Sequence, residues 1–205
     1  MKVLEISARK GGVGTTTVAC ALALALSKQN TDKVLLIDTS HNTEAFSVLG
    51  LPNPIGRSSA TVGEHGLTVM NIPVSEVNDR LPIGQYEFVV IDAGKTYGVD
   101  NSYFGQTPFR VAVVRNSYLS LRSETFSKAN NDAVVCVHEI GHVLTEGDVR
   151  QVVGKTIPET PVTTFLVDNA VARSVDAGLF SSRTQLWDEW TTEFLGQHGL
   201  TTATV

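Results

Sequence analysis

The residues best placed to do chemistry form one run near the N-terminus, Lys10-Gly11-Gly12-Val13-Gly14-Thr15-Thr16-Thr17. Glycines at this density let backbone N–H groups approach phosphate oxygens, and a helix start adds a favourable field for an anion. A threonine at the helix start can bind Mg²⁺ while the backbone wraps a β-phosphate. Taken alone, such a run is equally a tight strand-to-helix turn. Here KVLEIS precedes it and the Ala- and Leu-rich TTVACALALALSK follows it, so a strand is expected before it and a helix after it. Asp38 and Asp92 close the apolar runs KVLLID and EFVVID, and two strand-end carboxylates strengthen the phosphate reading.

A second constellation is His138-Glu139-Ile140-Gly141-His142, which spells the HExxH of zinc peptidases, and Asp148 falls where a third ligand could lie. That chemistry needs both histidines on one face of a helix. The preceding AVVCV is a β-branched run and predicts a strand, which leaves His138 at a strand end and His142 in a loop. A zinc site is therefore not expected. His41, His65 and His198 have no partners at ligand spacing, and Lys95 and Arg173 are expected on the surface, in salt bridges or on the basic face of a dimer.

Apolar runs alternate with amphipathic ones along the chain. Residues 2–7, 33–38, 67–72, 87–92, 109–115, 133–137 and 161–167 read as strands buried on both faces. Residues 16–28, 75–81, 120–130 and 147–153 read as helices, residues 53–66 as a loop. Residues 182–195 read as a last helix packing its aromatic side onto the sheet. The alternation predicts an α/β fold, doubly wound, with a mostly parallel sheet and helices on both faces, in a single domain over residues 1–205.

Composition narrows the partners. With 205 residues, 42% hydrophobic and 18% charged, the chain is globular. A net charge of −5 argues against a strongly basic nucleic-acid module. Two cysteines, Cys20 and Cys136, exclude a disulfide framework and suit a reducing cytoplasm. The opening residues show no apolar core with a cleavage site, and no apolar stretch reaches the about 20 residues of a membrane span. The C-terminal segment carries Asp188, Glu189 and Glu193 rather than basic residues, so membrane anchoring is not expected.

KGGVGTTT resembles the loop of the ParA/MinD group of deviant Walker-A P-loop ATPases, KGGxGKT/S. The likeness extends to KVLLID with SHNTEAFSVLGL, to YEFVVIDAG as a Walker B strand, and to PETPVTTFLVDNAVARSVDAGLF as a last strand and helix. VVRNSYLSLR and VARSVDAGLF are similar to divergent versions from actinobacteria, their plasmids and phages. The resemblance implies ATP and Mg²⁺ as cofactors. Lys10 matches the signature lysine that reaches a partner's phosphates across a homodimer, and Gly11, Gly12, Val13, Gly14, Thr15, Thr16 and Thr17 match the nucleotide cradle. Thr16 and Asp38 match the Mg²⁺ site, with Asp92 partly through water, and Gly94 falls where a backbone N–H could sense a γ-phosphate.

Two departures bear on catalysis. Thr15 stands where the family has its Walker lysine, and Ser40 where it has a second aspartate that orients water. Charge-stabilising groups of this kind are worth about 10²–10³ in rate, so hydrolysis is expected to be weak or absent. His138 replaces an adenine-reading asparagine. The implied function is a switch that dimerises on nucleotide and positions or segregates DNA, such as a plasmid or phage genome, or another cargo. A stimulating partner protein and non-specific DNA contacts go with it. The alternative is a non-catalytic scaffold that works by protein–protein interaction.

Overall fold

The computed structural model describes residues 1–30, 33–54, 59–80, 83–95, 102–123, 126, 131–139 and 144–201. In chain order the elements are β1 (Lys2–Ser7), α1 (Thr15–Gln29), β2 (Val34–Asp38), α2 (Glu44–Leu49), β3 (Ala60–Val62), β4 (Thr68–Asn71), α3 (Val77–Arg80), β5 (Phe88–Gly94) and β6 (Phe109–Arg115). They continue with α4 (Tyr118–Ser123), β7 (Ala133–Glu139), α5 (Glu146–Thr156), β8 (Val162–Val167), α6 (Asn169–Asp176) and α7 (Asp188–Gln197). One eight-stranded sheet has the order β3-β4-β2-β5-β1-β6-β7-β8. Every pairing is parallel except β3 with β4. The doubly wound α/β fold expected from the alternating runs is the fold observed.

β1 lies at the centre because Val3, Leu4 and Ile6 give it buried apolar side chains on both faces, with Glu5 and Ser7 buried polar residues among them. Leu4 and Ile6 pack, with Val90 and Val113, against α1 in a core that also takes Phe46 of α2, Val171 of α6 and Phe194 of α7. Val3, Val89 and Ile91 face the opposite way, toward Val77 of α3. Farther along that second face, Val114 and Cys136 meet Leu121 of α4 and Val149 of α5. The period-two alternation of a strand divides the apolar residues between the two layers. Each large side chain so buried contributes about 1.5–3 kcal/mol. Between the two clusters of the second face, Glu5 lies in register with Arg110 of β6.

α1 is apolar nearly all round, and Val18 through Ser27 are buried against the sheet, α2 and α7. A helix of that pattern belongs inside the molecule. Its N-terminus is thereby fixed at the C-terminal edge of the sheet. Connections leave β1 and β5 in opposite directions across the strand order: β1 leads to β2 beyond β5, and β5 leads to β6 beyond β1. Ligand crevices in open α/β sheets form at such a switch point, outside the carboxyl ends of the strands.

Local differences from the sequence reading have physical causes. Residues 60–62, read as loop, form β3, a three-residue antiparallel edge strand without a buried side chain. The helix expected over 120–130 is α4, and residues 124–125 and 127–130 lie outside those described. The last helix starts at Asp188, after a 3₁₀ turn at Thr184–Leu186. Its Trp190 meets Phe165 of β8 edge-on at 4.8 Å between ring centroids.

Candidate functional site: the loop between β1 and α1

Three glycines shape the loop for three different reasons. Gly14, φ +98°, is the residue before α1, and a Cβ there would meet Val137 Cγ2 at 3.2 Å. Gly12, φ +72°, has open space above it, so only its left-handed backbone calls for glycine. Gly11 has no φ constraint of this kind, but a Cβ on it would overlap Cε of Lys95 and come within 2.9 Å of its Nζ. Val13, buried at 2% exposure, anchors the loop in the core. Arg115 Nη2, from the end of β6, donates to the Gly12 carbonyl. The same guanidinium pairs with Glu139 of β7 at 3.0 Å.

α1 begins without a side-chain cap, and its first intrahelical bond is Val18 N–H to the Gly14 carbonyl at 3.0 Å. Uncapped N–H groups at the head of a long helix are an anion site. Thr15 is buried, Thr16 and Thr17 are half-buried, and Lys10 is exposed.

Asp38 and Asp92 stand in register on the neighbouring strands β2 and β5. They are 0% and 2% exposed. Asp38 Oδ1 accepts from Ser40 N–H at 2.8 Å, and Oδ2 accepts from Ala45 N–H at 2.9 Å. Burial raises the Asp38 pKa, against the pull of the Ser40 hydroxyl and of these amides, with the Glu44 charge adding to the rise. Burial lifts Asp92 to about 7; the Thr16 hydroxyl and the Gly94 N–H oppose it, and the Asp38 and Glu44 charges reinforce it. Gly94 N–H donates to Asp92 Oδ1 at 3.3 Å.

Glu44, at the head of α2, was not among the expected site residues. Its Oε2 accepts from Thr16 Oγ1 at 3.3 Å, so the Thr16 hydroxyl is shared between two carboxylates. Nothing in the sequence marked it, since 28 positions separate it from Thr16. Ser40 has structural work: its Oγ accepts from Glu44 N–H at 3.0 Å and so closes the first turn of α2.

Most of these groups border one cleft of about 1520 Å³, large beside two others of about 290 and 260 Å³; Asp38, fully buried, is not part of its lining. Lys10, the glycines, Thr15, Thr16, Thr17, Ser40, Glu44, Asp92, Lys95 and Arg115 all line it. The donors fit a phosphate with Mg²⁺, which takes one or two carboxylates, a hydroxyl and phosphate oxygens rather than an all-protein cage. Gly12 leaves the backbone open where a phosphate would approach.

The HExxH run is divided. β7 continues through Glu139, so His138 and Glu139 are successive residues of a strand and leave it on opposite sides. Asn116, fully buried, contacts His138 Nδ1 at 3.1 Å and accepts from Glu139 N–H at 3.0 Å, fastening β6 to β7. Residues 140–142 lie outside those described. Asp148 is a helix cap: its Oδ2 accepts from Thr145 N–H at 2.8 Å, and its own N–H donates to Thr145 Oγ1 at 3.2 Å. Among the described residues, no three or more His, Cys, Asp or Glu gather as a metal cage. No helix among them is long and apolar enough to cross a membrane.

A glycine turn feeding a buried helix, beside the acidic ends of two adjoining parallel strands, defines a P-loop fold. It is the fold that the ParA/MinD resemblance implied. A family model described as an AAA domain matches residues 1–64, the segment that holds the loop and Asp38. No curated protein matches the chain. Among solved structures, MinD of Pyrococcus horikoshii, complexed with Mg-ADP, superposes with a TM-score of 0.72 at 14% identity, covering 100% of this chain and 99% of that one. A McdA–ATP complex from Cyanothece gives 0.71 at 15%, covering 100% and 98%. The MinC–MinD cell division complex of Aquifex aeolicus gives 0.68 at 19%, covering 96% of each chain. At these identities the likeness is one of fold.

Proposed function

We propose that the chain is a ParA/MinD-like nucleotide switch, a single P-loop domain over residues 1–205 that binds ATP with Mg²⁺ and then pairs with a second copy of itself. Backbone N–H groups of residues 11–17 bind phosphate oxygens. Thr16 and Asp38 hold Mg²⁺, and Asp92 acts on it partly through water. When bound, the metal offsets phosphate charge and the γ-phosphate marks the on state. Lys10, exposed beside the loop, reaches the phosphates in the other copy. Turnover is weak, because Thr15 brings no ammonium and the Ser40 hydroxyl is occupied with capping α2.

The paired state positions or segregates a cargo in the cytoplasm, a plasmid or phage genome being the kind the resemblance implies. A partner protein resets it, and non-specific DNA is contacted through the few basic side chains of the surface. Such contacts weaken steeply with salt.

One observation carries the proposal: the uncapped head of α1, with Thr16 on its first turn, borders the same cleft as Asp92, and Asp38 stands in register with Asp92 on the next strand. Thermal melting with 1 mM ATP and Mg²⁺ tests it. A Kd of about 10 μM would stabilise the fold by about 2.7 kcal/mol, a shift of several degrees. An unmoved melting temperature and an unchanged monomer in sedimentation would favour instead a non-catalytic scaffold acting by protein–protein interaction, which the Thr15 and Ser40 departures also fit.

A further inference from the structure

The loop lacks the lysine that P-loops use as a point charge, yet the cleft holds three cations. Arg115 is already committed: its Nη2 meets both the Gly12 carbonyl and Glu139 Oε1. Lys10 is exposed, at the outer end of the loop. Lys95, one residue past the end of β5, lies directly over Gly11, in the space a side chain there would fill. It lines the same cleft as Thr15 and Thr16. Among the described residues its ammonium has no salt-bridge partner, so no carboxylate would have to be displaced before it met an anion.

We infer that Lys95 supplies, from the end of β5, the ammonium charge that the loop lacks at Thr15, and binds the phosphates of a nucleoside di- or triphosphate in the same chain. The assignment rests on the nucleotide reading above. It accounts for Gly11, the one glycine of the loop whose φ does not demand glycine: the missing Cβ gives the lysine stem its place. Lysine suits the task, since a four-carbon stem carries a compact charge that can be delivered from a neighbouring strand end as well as from the loop itself. The phosphates would then be held between backbone N–H groups on one side and Lys95 on the other. A surface salt bridge or surface basicity in a dimer, the roles expected from the sequence, would require no such approach to Gly11.

The test is calorimetric titration of the full chain with Mg-ADP and Mg-ATP, comparing wild type with Lys95→Gln, Lys95→Arg, Lys10→Gln and the double variant Thr15→Lys/Lys95→Gln. Lys95 is exposed, so the variants should melt as wild type does without ligand. The expected result is that Lys95→Gln weakens both nucleotides about tenfold or more, while Lys95→Arg keeps most of the affinity. Returning a lysine at position 15 should restore binding in the Lys95→Gln background, a rescue that a merely structural residue would not show. Lys95→Gln binding within twofold of wild type, or Lys10→Gln alone abolishing Mg-ADP binding, would overturn the assignment and leave the switch reading standing. A wild-type chain that binds neither nucleotide would overturn both.

Discussion

Asp38 and Asp92 end adjacent parallel strands in register, and both are almost wholly withdrawn from water. Two like charges at one sheet edge raise each other's cost of ionisation. Asp38 is partly relieved by two backbone N–H groups, from Ser40 and Ala45. Asp92 has one long bond from Gly94 and a shared hydroxyl. Ionising both carboxyls is costly where they stand.

Acidification should stabilise the ligand-free chain. Glu5 is pushed up to about 7 by burial, against the Arg110 charge and the Tyr103 hydroxyl, and Asp92 also reaches about 7. Folded values above unfolded ones mean that stability is fully present below the unfolded carboxylate range and is lost as pH rises through about 7. Urea unfolding at pH 5.5 should exceed that at pH 8 by about 2 kcal/mol per group. Glu5→Gln should remove its share of that difference.

The loop glycines should separate by mechanism. Gly14→Ala combines a left-handed backbone with a contact on Val137 and should cost about 1–3 kcal/mol in urea unfolding. Gly12→Ala meets nothing and should cost about 1 kcal/mol. Gly11→Ala should leave stability nearly unchanged, because a flexible lysine can move aside. Its effect should appear in weakened Mg-ATP binding, read by calorimetry.

Most strands were legible because a parallel strand covered on both faces must be a continuous apolar run. KVLLID and EFVVID need no tertiary information to be recognised. β3 was not, since Ala60, Thr61 and Val62 sit at an edge and bury nothing. The same limit applied at the site. The glycine loop is local and could be read directly. The approach of Glu44 to Thr16 and of Lys95 to Gly11 exists only once the sheet has gathered distant strand ends. Thr145 and Asp148 carried a readable capping spacing, and the nearby histidines drew attention to ligand spacing instead.

Supplying the groups that the ParA/MinD loop carries should act on the proposed switch in order. Thr15→Lys should tighten Mg-ATP binding about tenfold, and adding Ser40→Asp should raise phosphate release. A carboxylate at position 40 can still accept from Glu44 N–H, so α2 keeps its cap. A double variant that binds no better than wild type would show that the loop does not hold phosphate as described.

The end of α2 offers a test of the scaffold. A Cβ on Gly50, φ +67°, would overlap the Gly178 carbonyl just past α6. Gly50→Ala should therefore destabilise by about 2–4 kcal/mol, with a matching fall in the urea midpoint.

Arg115 joins the Gly12 carbonyl to Glu139, so the turn after β1 is steered from β6 and β7 as well as by its own seven residues. Its course is a property of the assembled sheet. With such a brace, residues inside the turn could be exchanged without letting the turn wander. Loss of the brace would be felt first as poor aim and only later as poor folding.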